Sequence, residues 1–267
     1  MPAPALSPLP CAQRIVEELG PQAARFHVEV VAECASTNDA VRALPGATDG
    51  VVRVLLAHRQ HAGRGRRGRS WLSAPGQGLT FSCAWPLPPD TALPSGLPLS
   101  TSLAIIETLE AFGLEHAALK WPNDVLLHGR KLAGTLIEVA GRPPHGRFLV
   151  IGIGLNLLET AEHPLPDSAA ALFSHLANPP APETLLAALL PRLDHRLSEH
   201  LRHGFAPLRP DWQRRDAFAG RPVRILGDDG EQSGICSGLA DDGALLLQTD
   251  SGTLRILSGD VSLRAAA

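Results

Sequence analysis

No stretch of this sequence stays apolar for long enough to cross a membrane, and its start, MPAPALSPLP, has four prolines and no basic cluster to open a secretion signal. Both absences point to a cytoplasmic protein. Disulfide and metal frameworks are missing too. The four cysteines, Cys11, Cys34, Cys83 and Cys236, are scattered, with neither a C-x-x-C pair nor a Cys/His spacing suited to a metal. They read as reduced and structural. Nor does one sign of charge dominate: 24 Lys and Arg face 27 Asp and Glu, a net charge of -3. No overall field draws nucleic acid or an acidic membrane, so any basic site must be local.

What is present is enough for a sizeable core. With 267 residues, 44% hydrophobic and 19% charged, the chain predicts one larger domain and one smaller. Residues 1–25 read as a loose, proline-punctuated lead with at most a short helix over Ala12–Leu19. Strands are expected at Phe26–Val31 and Val51–Ala57, with a polar turn at Ser36-Thr37-Asn38 and a short helix from about Asp39 to Leu44 between them. A strand at Leu79–Trp85, a buried helix over Leu99–Phe112 and four short strands between Leu119 and Leu157 follow. A leucine-striped helix from Pro182 to Gly204 is expected to be interrupted near Pro191. From Gly220 short strands alternate with Asp-Asp-Gly turns, the pattern of a small β-barrel. Consecutive strands with brief turns imply an α+β protein with mostly antiparallel pairing. The composition shift near Arg215–Gly220 divides it into a domain at 26–217 and another at 218–267.

The segment Gly63-Arg64-Gly65-Arg66-Arg67-Gly68-Arg69 fits no regular period. No acid occurs from Gly50 through Pro89, which leaves six arginines without local compensation. Glycine lets backbone approach a ligand and presents N–H groups to an anion, while arginine adds a permanent charge and a planar fork. The segment therefore reads as a flexible loop that closes on a phosphate-bearing ligand. Two plainer readings compete, a solvated basic loop and a nucleic-acid segment; its single copy between two strands argues against disorder.

Three further segments carry candidate chemistry. In Lys120-Trp121-Pro122-Asn123-Asp124 and Gly129-Arg130-Lys131-Leu132-Ala133-Gly134, turns and a hairpin tip explain most residues, but Lys131 entering a strand beside Gly134 suits an anion. Gly152-Ile153-Gly154-Leu155-Asn156 lacks the G-x-G-x-x-G spacing of a dinucleotide site; glycines within a strand mark close approach, and Asn156 can reach phosphate oxygens or a metal-bound water. Ser36-Thr37-Asn38 is either a helix cap or a cluster able to bind an uncharged head bearing donors and an acceptor, such as a ureido ring.

Taken in order, STN, Q-x-AGRGRRGR-x-W, KWPND, GRKLAG-x-L-x-E and GIGLN resemble the catalytic domain of bacterial biotin protein ligases. The resemblance runs from about Phe26 to the end, where Val261-Ser262-Leu263-Arg264 is similar to the close of the family's small C-terminal domain. It implies a class II synthetase-like mixed, mainly antiparallel sheet flanked by helices, then an SH3-like β-barrel. It also implies the activity: biotin and ATP form biotinyl-AMP, with Mg²⁺, and the biotinyl group passes to a lysine. The implied acceptor is the biotin carboxyl carrier protein of acetyl-CoA carboxylase or a related biotin-dependent carboxylase. By resemblance Ser36, Thr37, Asn38 and Gln60 bind the biotin head, and Gly63, Arg64, Gly65 and Arg66 close over its arm and carboxylate. Lys131, with Gly134 beside it, holds the carboxylate and the α-phosphate. Arg66, Arg67, Arg69 and Trp71 order around the adenylate, while Asn123, Asp124 and Asn156 lie on the nucleotide side, Asn156 as a candidate Mg²⁺ ligand. Arg264 reaches ATP from the small domain.

Lys131 and Arg66 are thus the expected catalytic residues, joined by Asp124 as a candidate base. At a lysine pKa of about 10.4 only roughly one part in a few thousand of the acceptor is neutral at pH 7. A role for Asp124 as a turn acceptor is equally open. From Leu158 to Phe173 no aromatic precedes Phe173, so no residue is assigned to adenine. About thirty residues precede the first motif, too few for a three-helix DNA-binding domain, so operator binding is not expected. Homodimerisation is left open. A lipoate or octanoate ligase is the nearest alternative, and a nucleic-acid-binding module a more distant one.

Overall fold

In the computed structural model, residues 9–44, 50–88, 91–141, 146–227, 230–257 and 262–265 are described. They form two compact units. The first comprises the described residues up to Thr91 with Leu132–Pro191, the second Ala92–Lys131 with those from Arg192 onward.

The first unit opens with α1 (Ala12–Leu19), within the stretch expected to be a loose lead. Its residues Ile15 and Leu19, four apart on one face, are both buried. Next comes β1 (Phe26–Cys34), α2 (Thr37–Ala43) and β2 (Val52–Gln60), with β1 and β2 parallel. Parallel neighbours need a crossover, and α2 supplies it. Its apolar side, with Val41 buried, rests on Leu55, Ala84 and Val150. This helix starts at Thr37 rather than near Asp39, because the Ala40 N–H reaches the Ser36 carbonyl at 2.9 Å. The polar turn expected at Thr37 and Asn38 is therefore the first turn of a helix.

Antiparallel pairing continues through β3 (Gly78–Leu87), β7 (Arg147–Asn156) and β6 (Arg130–Gly141), while β4 (Ala117–Lys120) and β5 (Asp124–Leu127) form a hairpin. The seven strands run in the order β1-β2-β3-β7-β6-β5-β4, the mixed, mainly antiparallel sheet that the sequence predicts. Strands β2, β3 and β7 are largely buried on both faces, which explains why plain alternation is weak in their sequences.

The second unit contains α3 (Leu97–Ala111), buried on nearly every side. Its buried hydroxyls are satisfied within the helix: Ser100 and Thr101 donate to the Leu97 carbonyl, Ser102 to Pro98 and Thr108 to Ala104. Helix α4 (Pro182–His203) runs without interruption through Pro191, correcting the expected break. A mid-helix proline costs about 3 kcal/mol. Leu189, Leu190, Leu193 and Leu197 flank it fully buried, each stabilising the helix by about 1.5–3 kcal/mol. Arg196 on α4 binds Glu107 of α3, Glu199 and, at 2.9 Å, Asp211 of α5 (Arg209–Gln213). The strands β8 (Pro222–Gly227), β9 (Gly230–Leu239), β10 (Leu245–Thr249), β11 (Gly252–Ile256) and β12 (Ser262–Ala265) form a separate antiparallel sheet in the order β11-β10-β9-β8-β12, the small C-terminal β unit expected. No described helix is long and apolar enough to cross a membrane.

His200 of α4 is completely buried, with Nδ1 3.1 Å from the Ser100 hydroxyl and Nε2 2.9 Å from the Ser95 carbonyl. Burial pushes its pKa below the usual histidine value of 6.5, against smaller opposing contributions from the Ser95 carbonyl and Glu199. The unfolded chain thus takes up the proton first, so this histidine's share of stability is complete above about pH 6.5 and is lost as pH falls. The slope reaches at most about 1.4 kcal/mol per pH unit for one group. Urea unfolding of the wild type and His200→Gln between pH 7.5 and 5.5 is expected to show a shallower pH dependence in the variant; identical slopes would contradict a depressed pKa.

Candidate binding and activation site

The first turn of α2 faces Gln60 at the end of β2, Ser82 in the middle of β3 and Glu138 of β6, and buries a row of hydrogen-bonding side chains there. Ser36 occupies the N-cap position of α2 but its side chain makes no capping bond, so capping does not explain this serine. Gln60, at the end of β2, accepts through Oε1 from the Thr37 backbone N–H at 2.7 Å and the Thr37 hydroxyl at 3.0 Å. The Ser82 hydroxyl on β3 lies 2.7 Å from Thr37 Oγ1 and 2.6 Å from Asn38 Oδ1. Asn38 Nδ2 in turn donates to Glu138 Oε2 on β6 at 2.8 Å. Arg42 of α2 approaches the same Glu138 oxygen at 3.1 Å. Ser36, Thr37, Asn38, Gln60 and Ser82 are all buried. Four groups expected to bind a polar head are thus brought together, and Ser82 and Glu138 join them.

Neither addition was assigned a role from sequence, although both left a trace. Ser82 is a polar residue within the apolar run LTFSCAW, and Glu138 is the acid that ends GRKLAG-x-L-x-E.

Beside this row the sheet face is paved with glycine. Gly134 and Gly154 pair directly across β6 and β7, and Gly152, two residues away, turns to the same face. A Cβ added at Gly152 would collide with the Asn38 carboxamide, and one at Gly154 with the Trp71 indole. The glycines of GIGLN therefore admit side chains against the strand, which accounts for their spacing without a phosphate loop. Asn156, at the end of β7, donates through Nδ2 to the Ala170 carbonyl at 3.1 Å and anchors the segment beyond the strand. That bond uses one of the two Nδ2 protons of the residue expected to reach phosphate.

The arginine-rich segment is more regular than its sequence suggests. The Trp71 N–H reaches the Gly63 carbonyl at 2.8 Å, and the Gly65 N–H reaches Arg69 at 2.7 Å. Residues 63–71 thus form a small hairpin, tipped by a single 3₁₀ turn at Arg66–Gly68. Arg67, at φ 58°, is left-handed without being glycine, an unusual cost at an exposed tip. Arg64 is tied to Asp39 of α2 at 2.6 Å, which couples the hairpin to the polar row. Arg66 is half-buried, whereas Arg67 and Arg69 are exposed. A Cβ on Gly63 would lie 2.6 Å from the Trp71 carbonyl and 2.7 Å from Gln60 Nε2, so this position requires glycine.

The remaining expected residues lie in the second unit. Lys120-Trp121-Pro122-Asn123-Asp124 forms the β4–β5 turn, with Trp121 buried and its indole N–H donating to the Gly243 carbonyl at 3.0 Å. Asn123 is buried as well. Lys131 Nζ sits 2.7 Å from Asp124 Oδ1, so the candidate anion-binding lysine has a carboxylate counter-ion that an arriving anion would have to displace. The backbone of Arg264 pairs with Arg224 in β12 and β8; its side chain lies outside the described residues.

Comparison with known proteins matches residues 35–156 to the biotin/lipoate A/B protein ligase family and residues 218–264 to the biotin protein ligase C-terminal domain. The chain is 34% identical over 246 residues to the biotin--[acetyl-CoA-carboxylase] ligase of Paracoccus denitrificans, covering 87% of this chain and 98% of that protein. It is 35% identical over 212 residues to the bifunctional ligase/repressor BirA of Escherichia coli, covering 79% of this chain but only 66% of the relative's length. Among solved structures, the biotin protein ligase of Aquifex aeolicus in complex with biotin and ATP superimposes with a TM-score of 0.78 at 29% identity, over 90% of this chain and 99% of that one.

The Trp71 indole and Gly154 give a direct test of the hairpin's seating. Gly154→Ala introduces an overpacked methyl, a change that costs about 1–3 kcal/mol and is relieved most readily by moving the indole. The expected result is faster trypsin cleavage at Arg66, Arg67 or Arg69 than in the wild type; unchanged cleavage would mean that Trp71 does not hold the hairpin.

Proposed function

The chain belongs to the biotin protein ligase family, and from that premise we propose that it condenses biotin with ATP and transfers the biotinyl group to a carrier lysine. The observation that carries this reading is the buried row Gln60–Thr37–Ser82–Asn38, facing a glycine-paved strand beside an arginine hairpin. A cyclic urea supplies two N–H donors and a carbonyl acceptor, which can satisfy such a row. A dithiolane or an alkyl chain cannot. Lipoate or octanoate would leave buried polar atoms without partners, a loss of about 1–3 kcal/mol for each.

On this reading the acid and the nucleotide are activated by charge placement. The biotin carboxylate attacks the α-phosphate of ATP, forming biotinyl-AMP and releasing pyrophosphate. Arg66 and Lys131 neutralise charge on the carboxylate and the phosphate, and Lys131 exchanges its Asp124 partner for the ligand. On this reading Asp124, once released, accepts a proton from the carrier lysine. The indole face of Trp71, with Asn123, Asn156 and Arg264, serves the nucleotide. Closure of the hairpin excludes water from an anhydride that would otherwise hydrolyse.

Mg²⁺ would shield the phosphate oxygens. Among the described residues no three His, Cys, Asp or Glu side chains gather into a metal cage. Asn156, whose carboxamide oxygen is a donor of the kind Mg²⁺ accepts, would hold the ion beside the phosphates. We infer that residues 26–217 form the catalytic domain and 218–267 a small accessory domain. The acceptor of the biotinyl group is, on this reading, a biotin carboxyl carrier protein in the cytoplasm.

Pyrophosphate exchange into ATP tests this without any carrier protein. Exchange is expected with biotin and Mg²⁺ but not with lipoate or octanoate. Exchange with the fatty acids alone would move the protein to the lipoate class, and none at all would remove the ligase reading. In Lys131→Gln the rate is expected to fall by about 100-fold, the scale of losing one charge-stabilising donor. A melting temperature lowered in proportion would instead make Lys131 structural.

A further inference from the structure

The four side chains proposed to meet the biotin head are ambiguous donors and acceptors. Asn38 can turn its carboxamide either way, and the Ser82 hydroxyl has one proton for two acceptors, Thr37 Oγ1 at 2.7 Å and Asn38 Oδ1 at 2.6 Å. Something must choose between these arrangements. Glu138 is the one charged member of the array, held by Arg42 at 3.1 Å on the rim of the sheet face. A carboxylate accepts and does not donate. It therefore compels Asn38 to direct Nδ2 toward it, as the 2.8 Å bond records. Oδ1 then faces Ser82 and draws its proton. With the amide reversed, Nδ2 would donate to Ser82 and the serine proton would pass to Thr37.

We propose that Glu138 is a positioning residue that sets the hydrogen-bond polarity of the head-group site through Asn38 and Ser82. This rests on the ligase reading and adds to it the origin of head-group selectivity. When the serine proton is committed to Asn38, the Thr37 proton is shared between Ser82 Oγ at 2.7 Å and Gln60 Oε1 at 3.0 Å, and both Thr37 lone pairs stay open to an incoming N–H. Gln60 Oε1 is then filled by two Thr37 donors, which leaves Nε2 as the group offered on the Gly63 side. A ureido ring meets acceptors where it donates. In the reversed array the serine proton fills a Thr37 lone pair, and the ring loses that acceptor.

Glu138→Gln tests this, since glutamine matches the shape but no longer dictates the orientation of Asn38. Biotin binding is measured by calorimetry without ATP, alongside pyrophosphate exchange. The expected result is a biotin Kd and KM raised about tenfold, the scale of one misdirected hydrogen bond, with kcat and the KM for ATP within about twofold. Ser82→Ala is expected to show the same biotin-only effect. Because both act through one chain, the double variant should be no weaker than the weaker single one, whereas independent effects would multiply. Unchanged biotin affinity in Glu138→Gln beside an active wild type, multiplying effects, or equal losses for biotin and ATP would each overturn the proposal while leaving the ligase reading intact. No binding and no exchange by the wild type would overturn both.

Discussion

Two hydrogen bonds into one oxygen, from the Thr37 backbone N–H and the Thr37 hydroxyl to Gln60 Oε1, hold the first turn of α2 against the end of β2. Burying a polar atom without a partner costs about 1–3 kcal/mol, so a row of six buried or half-buried polar side chains is tolerable only when each arranges the next. The parallel β1–β2 pair, the crossover helix and the glycines of β6 and β7 all serve that arrangement. They bring a helix turn close enough to a sheet for side-chain bonds to close. Only a sheet stripped of Cβ atoms at Gly152 and Gly154 leaves room for the Asn38 amide and the Trp71 indole.

Charge is arranged differently from polarity. The arginines of residues 63–71 sit on a hairpin whose backbone is closed by its own hydrogen bonds, so the side chains can be redirected without unfolding the support. Arg64 is engaged with Asp39, and Lys131 with Asp124, each pair lying at least partly in solvent. Exposed pairs of this kind contribute about 0–1 kcal/mol, which makes them easy to trade for a phosphate or carboxylate. By contrast the Arg196 cluster binding Glu107, Glu199 and Asp211 is largely shielded and joins three helices, a structural use of the same chemistry.

Much of this was legible in the sequence, for identifiable reasons. Elements bounded by glycine and proline, such as β5 and the strand β10 after the Asp-Asp-Gly turn at 241–243, fell where turn chemistry put them, and the ordered motifs pointed to the family. Local rules failed where tertiary contacts decided. Pro191 does not break α4 because the leucines around it are buried. Thr37 and Asn38 are helical although their composition suggests a turn. Residues 63–71 look irregular because glycine and arginine carry no strand periodicity, yet their backbone pairs. Ser82 and Glu138 stayed invisible as members of the polar row because their partner Asn38 lies 44 and 100 positions away in the chain, a distance that no window reads.

The turn that carries Asn123 and Asp124 is fastened by an indole to Gly243, in the Asp-Asp-Gly turn between β9 and β10. That glycine is left-handed, at φ 83°, and a Cβ there would press on Leu99; Gly96, at φ 79°, stands in the same relation to Asp242. Two glycines thus meet back to back where the small sheet adjoins α3. For protein engineering this makes the C-terminal sheet a poor interchangeable cassette. A graft from another relative would have to reproduce the backbone of one turn, whatever the similarity of its strands, or the KWPND segment would lose its mooring.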